Sequence, residues 1–231
     1  MSDILSCKDL FVRYGAHSTP VIAVDRLGVR ESERVALLGL NGSGKTTLLH
    51  AIAGLVPFAG SIHVCGIPVQ ADRLSDVRAQ IGFLFSTPED QLLFPSVLDD
   101  VGFALRSRGI SVSMAADEAR RMLSTLESES LALRLTHQLS QGERLTVALA
   151  GALITHPPLL LLDEPTASLD PPARTRLAKF LATQNSSMLI ATHDMAFATV
   201  ACNRFLVLEA GRLCADTPSS NSLLSLWGRG P

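Results

Sequence analysis

Near the start of the chain, apolar side chains recur at every second position, in ILSCKDLFVRY and again in VIAVDRLGV. That is the period of strands with one face on a core and one in water, so an antiparallel sheet is predicted. RVALLG, by contrast, is apolar almost throughout, as a strand covered on both faces would be. A glycine-rich turn follows, then KTTLLHAIAG with helical spacing, giving one strand, loop and helix unit of a parallel sheet. SIHVCG and IGFLF continue as strands. From residue 87 to 155 the pattern turns helical: in MAADEARRMLSTLE, Ala115, Ala119, Met122, Leu123 and Leu126 fall on one helical face. Strand signals return in LLLLD, SMLIAT and RFLVLEAG. The predicted fold class is α/β in a single domain. Residues 1–86 and 156–215 form a core with a parallel centre and antiparallel N-terminal strands. Residues 87–155 form an inserted helical subdomain, and 216–231 a loosely ordered tail.

Composition narrows the class. At 231 residues the chain can bury a sizeable core, and its net charge of −2 leaves no basic footprint for nucleic acid. Cys7, Cys65, Cys202 and Cys214 lie far apart without a CxxC pair, and no signal peptide precedes them, so a reduced, cytosolic setting is expected. No apolar run reaches the ~18 residues of a membrane span. Yet 47% apolar residues, 18% charged residues and a mean hydropathy of +0.28 leave two readings open: a large core, or apolar surface covered by a partner.

Candidate chemistry sits at the ends of predicted strands. GLNGSGKT, residues 39–46, fits GxxxxGK[ST] between a buried strand and a helix. Gly39, Gly42 and Gly44, with Asn41 and Ser43 between them, let backbone N–H groups wrap a polyphosphate. Lys45 reaches the β- and γ-phosphates, and the hydroxyl of Thr46 suits Mg²⁺. LLLLDE delivers Asp163 and Glu164 to a strand end, one to hold Mg²⁺ and the other to polarise water; taken alone, two such acids also suit a helix cap. SMLIATHD ends similarly at His193, in reach of a γ-phosphate or its water, or simply structural. Tyr14 offers a π face for an adenine ring, or is an ordinary half-buried aromatic. LSQGE, with Ser140 and Gly142 ahead of a helical run, is a second anion site about a hundred residues from the first.

GLNGSGKTT, LSQGE, LLLLDEPTASLDP and ATHD, in this order, resemble the nucleotide-binding subunit of an ATP-binding cassette transporter, a P-loop NTPase, over nearly the whole chain. The resemblance implies ATP and Mg²⁺ as ligands, Gly39 to Thr47 as the Walker A loop and Tyr14 as the adenine platform. It makes Asp163 the Walker B aspartate, Glu164 the catalytic base and His193 the switch histidine. Ser140, Gln141, Gly142 and Glu143 become the signature, which binds the γ-phosphate of ATP held by the other subunit. Asp170 belongs to the dimer-contact loop.

Two positions depart from the family pattern. The signature is usually LSGGQ, and here Gln141 and Glu143 replace its third and final residues. Where the family places a glutamine that ligates Mg²⁺, this chain has Ser86, whose hydroxyl is a shorter ligand; Gln91 lies five residues on. STPEDQLLFPSVLDDVGFAL is similar to a segment of the ATPases of energy-coupling factor importers, which take up cobalt, nickel or vitamins such as biotin. That resemblance implies an integral-membrane scaffold and substrate-binding subunits as partners, and a homodimer or a heterodimer with a related ATPase. It implies a location on the cytoplasmic face of the membrane. Longer members carry a further C-terminal domain, which is not expected here. Leu92, Leu93 and Phe94 either adjoin a groove that receives a cytoplasmic helix of the scaffold, as the resemblance implies, or are helical-subdomain core.

Overall fold

The computed structural model describes residues 3–15 and 19–218. Two sheets share one helix between them. The first is antiparallel and built from β1 (Asp3–Val12), β2 (Ile22–Arg30), β4 (Ala59–Val64) and β5 (Ile67–Pro68), in the order β2-β1-β4-β5. The predicted alternation of β1 holds with one slip. Leu5 and Cys7 point into the core, Asp9 takes a left-handed conformation (φ 49°), and Leu10 and Val12 resume the inward phase one residue late. This bulge keeps four apolar side chains on one face, where a strict period of two would have turned Leu10 and Val12 outward.

The second sheet has the order β10-β9-β3-β8-β7-β6, from β3 (Arg34–Leu38), β6 (Ile81–Leu84), β7 (Leu159–Asp163), β8 (Ser187–Thr192), β9 (Arg204–Glu209) and β10 (Arg212–Thr217). Five strands are parallel and β10 pairs antiparallel with β9. The uninterrupted leucines of β7 serve both faces. Leu159 and Leu161 join the core toward the antiparallel sheet and α1 (Lys45–Ile52), while Leu160 and Leu162 join the core under the remaining helices. Residues 216 and 217, expected in the tail, are the end of β10; the tail from 219 on lies outside the described residues.

After α2 (Leu74–Arg78), the helical stretch contains α3 (Val97–Val101), α4 (Phe103–Ser107), α5 (Val112–Thr125) and α6 (Gln141–Leu153). Ala115, Ala119, Met122 and Leu123 form the buried face of α5, as their spacing predicts. The apolar face of α6 continues onto the sheet, so this helix belongs to the same core as β6 and β7. α7 (Pro171–Ala182) and α8 (Met195–Ala201) complete the layer. Cys7 and Cys202 act as small core residues, whereas Cys214 is exposed on β10. Among the described residues no helix is long and apolar enough to cross a membrane.

Candidate functional site

The strand order, which is not the chain order, assembles the first site. Leu38 at the end of β3 lies beside Thr192 of β8, Ala191 beside Asp163 of β7, and Leu162 beside Leu84 of β6. Residues that follow these four strands therefore meet at one carboxyl edge, where open parallel sheets bind ligands. They are the loop at 39–46, His193, Asp163 with Glu164, and Ser86.

Gly39 and Gly44 show why the loop's backbone needs glycine. Gly44 has φ 105°, and a Cβ there would fall 2.6 Å from Ile22 Cδ1; a Cβ at Gly39 would fall 2.4 Å from Ser43 Oγ. Gly44 then leads into α1 without a side-chain cap, so the first N–H groups of the helix stay open. Lys45, only 6% exposed, donates from Nζ to Gly39 O (2.8 Å) and Leu40 O (3.3 Å). Its Nζ also lies 3.3 Å from Glu164 Oε1, close enough for an ion pair although the geometry makes no hydrogen bond. Asn41 and Gly42 are exposed at the turn, while Ser43 is buried with its hydroxyl unpaired.

Thr46 donates its hydroxyl to Asp163 Oδ2 at 2.7 Å, and the Ser86 hydroxyl stands near enough to act weakly on the same carboxylate. Burial pushes the Asp163 carboxyl above the ordinary carboxylate range; the Thr46 hydroxyl opposes this, the Glu164 charge reinforces it, and His50 and Ser86 oppose it more weakly. Asp163 Oδ1 has no hydrogen-bond partner. A buried carboxylate oxygen left unpaired between two hydroxyls is a hard oxygen set suited to Mg²⁺, so Thr46, Ser86 and Asp163 fit the metal. Glu164 adopts φ 48°, held by its N–H on Ala191 O (2.9 Å), and its Oε2 accepts from His193 Nδ1 at 2.9 Å. A non-glycine residue in this conformation is unusual and turns the carboxylate back toward Lys45. Tyr14, 58% exposed, hydrogen-bonds Thr47 through its hydroxyl (3.4 Å), which keeps its ring beside the phosphate loop.

The second group stands apart. Ser140 caps α6, with its Oγ accepting the Glu143 N–H (3.4 Å) while Glu143 Oε2 accepts the Ser140 N–H (2.8 Å), a reciprocal capping box. Gln141 is exposed at the helix start. A Cβ on Gly142 would stand 3.4 Å from Ser168 O, so the residues at 140–143 share a surface cleft with Ser168, Leu169 and Asp170. Asp170 caps α7 through the Ala173 N–H (2.8 Å). No residue of the loop at 39–46 lines that cleft.

The family model for ABC transporters matches residues 24–167, more than half of the chain. This chain belongs to the ABC transporter family. A Nitratidesulfovibrio vulgaris protein provisionally described as an ABC transporter ATP-binding protein is 40% identical over 92% of this chain and 79% of its own length. The biotin transport ATP-binding protein BioM of Rhizobium etli is 36% identical over 83% of this chain and 84% of its own. Among solved structures, cbiO1 of Clostridium perfringens, part of the ABC transporter complex cbiONQ, superposes with a TM-score of 0.85 at 28% identity, covering 97% of this chain and 92% of that one. A dimeric post-hydrolysis state of the ATP-binding cassette MJ0796, bound to ADP and Pi, gives 0.85 at 26% identity over 92% and 97%. The chain is an ABC ATPase, an ATP-hydrolysing enzyme, with the P-loop NTPase fold.

Three features of this ABC ATPase escape sequence reasoning. Gln91 does not face Asp163: its Oε1 accepts from Phe85 N–H (3.1 Å) and its Nε2 donates to Phe83 O (3.0 Å) and Ala148 O (3.2 Å), tying the loop after β6 to α6. Arg134 pairs with Glu143 across nine positions of irregular chain, which no local pattern announces. The stretch at 92–94 divides its residues. Leu92 packs on the core, while Leu93 is 73% exposed beside a cleft of about 120 Å³ lined by Gln91, Phe94, Asp100 and Phe103. Asp100 accepts both the Leu93 and Phe94 N–H groups, Phe94 stacks against Phe103 at 5.1 Å, and Arg106 covers the Phe94 ring.

Proposed function

We propose that this ABC ATPase dimerises head to tail around two ATP molecules and drives an energy-coupling factor importer from the cytoplasmic face of a membrane. The single observation that carries this reading is the separation of the two groups: a complete phosphate, metal and acid cluster at one strand edge, and a capped helix start with its own cleft elsewhere. Each ATP is then held by Gly39 to Thr47 and Tyr14 of one subunit and met by Ser140 and Gly142 of the other, with Asp170 beside them. Lys45 exchanges its Glu164 contact for phosphate oxygen, which releases the Glu164 carboxylate to accept a proton from the attacking water. His193 Nδ1 orients that carboxylate. Thr46, Ser86 and Asp163 hold Mg²⁺, which neutralises phosphate charge when bound.

A transition metal, cobalt or nickel, is the proposed cargo of the complete importer; the cbiO1 likeness favours it and the BioM likeness favours biotin. The exposed Leu93 and its cleft suit an apolar segment of a membrane scaffold. The test of the catalytic reading is Glu164→Gln, which keeps the shape and removes the base. Turnover should fall about 10²- to 10⁴-fold while the protein accumulates as an ATP-bound dimer. Turnover like that of the parent, or a protein that stays monomeric with ATP, would reject it.

A further inference from the structure

We infer that Arg134 is a positioning residue for the signature: it holds the Glu143 carboxylate as a neutral pair, so that the start of α6 stays receptive to the γ-phosphate of the partner subunit's ATP. The inference rests on the head-to-tail reading above and adds the electrostatic condition for it. Glu143 stands within one helical turn of Ser140 and Gly142. The N–H of Ser140, followed by its hydroxyl, holds the Glu143 carboxyl below the ordinary carboxylate range, with Arg134 contributing, so the group is an anion at neutral pH. An anion in this place suits the helix dipole, yet it repels any second anion that approaches the same turn.

Arg134 removes that conflict. Its Nη1 donates to Glu143 Oε1 at 2.7 Å, while Oε2 remains on the Ser140 N–H at 2.8 Å. Ser140 Oγ accepts from Glu143 N–H in turn, so the carboxylate stays on the capping box while Arg134 balances its charge. The position of Arg134 is set by the backbone: Val97 N–H donates to Arg134 O (3.2 Å), Leu135 bridges Ser96, and Thr136 donates from N–H to Pro95 O and from its hydroxyl to Phe94 O (both 2.8 Å). Arg134 and Glu143 are 43% and 33% exposed, so their pairing adds little to folding, and its main consequence falls on an approaching charge.

The test uses the full chain carrying Glu164→Gln, in which ATP-bound dimers accumulate, with sedimentation read against protein and salt concentration. Arg134→Ala should weaken ATP-dependent dimerisation about tenfold, because an unpaired carboxylate costs about threefold at each of two signature sites. ATP binding by the monomer should stay unchanged, since the phosphate loop lies elsewhere. Arg134→Ala combined with Glu143→Gln should recover dimerisation to within about twofold of the parent, as glutamine preserves the capping box without the charge. Two results would overturn the inference: an Arg134→Ala protein that dimerises like its parent, or a double variant as weak as Arg134→Ala alone, which would point to a direct nucleotide contact or a folding role. A parent that fails to dimerise with ATP would instead reject the head-to-tail reading itself.

Discussion

The two candidate anion sites of this chain are built in different ways. At the strand edge every charged group has partners from distant parts of the sequence: Lys45 meets two carbonyls and Glu164, Asp163 meets Thr46 and Ser86, and Glu164 meets His193. The group at 140–143 draws its hydrogen-bonded and ionic partners from within ten residues and presents a helix start to the outside. A buried cluster of that kind is stable in one chain because its charges are paired on folding. A capped helix start at the surface leaves its dipole facing outward, where an arriving anion would meet it. The difference is what the proposed shared site requires: one chain would hold two unlike halves of it.

The strongest way to break this comparison is to damage each half separately. Lys45→Ala should abolish measurable nucleotide binding by the monomer, because the phosphates lose their main cation. Gly142→Asp should leave monomer binding within about twofold and abolish ATP-dependent dimerisation, since it places a side chain and a charge at the helix start. Equal loss of monomer binding in both, read by nucleotide fluorescence, would mean that the two groups act on one nucleotide in one chain.

A smaller effect separates the members of the strand-edge cluster. The Ser86 hydroxyl lies near Asp163, where the proposed metal site needs an oxygen ligand in place of the family's glutamine. Ser86→Ala should lower Mg²⁺-dependent turnover about tenfold, the size of one hydrogen bond to a charged group. Ser86→Gln should not exceed the parent rate, and a clear increase would show the serine to be a deficit. The smallest effect is expected outside both halves: Leu93→Asp, on an exposed side chain, should leave turnover of the isolated subunit within about twofold. It should still weaken copurification with a membrane scaffold, and retained copurification would remove the cleft at 91–103 from that role.

Local features of this molecule were legible from residue order, and the long-range ones were not. GLNGSGKT between an apolar strand and a helix, acids closing LLLLDE, and the face of α5 are periodic or contiguous signals. The slip at Asp9 was hidden because alternation carries no mark of a bulge. The meeting of Ser86, Asp163 and His193 depends on the order β3-β8-β7-β6, which chain order does not state. Gln91 lay in plain view five residues after Ser86, yet only the packing of α6 against β6 shows its amide turned toward Ala148. In the same way Glu143, a departure in the signature, gains a physical meaning only once Arg134 is placed beside it.

The claim that each nucleotide is shared by two subunits is tested most directly by mixing the Lys45→Ala and Gly142→Asp proteins and measuring ATP occlusion. Each variant alone can form only damaged sites. In a mixed head-to-tail dimer one site receives both lesions, while the other joins an intact phosphate loop to an intact signature. The account predicts occlusion of about one ATP per mixed dimer, absent from either protein alone. A mixture that only averages the two inactive proteins would contradict it.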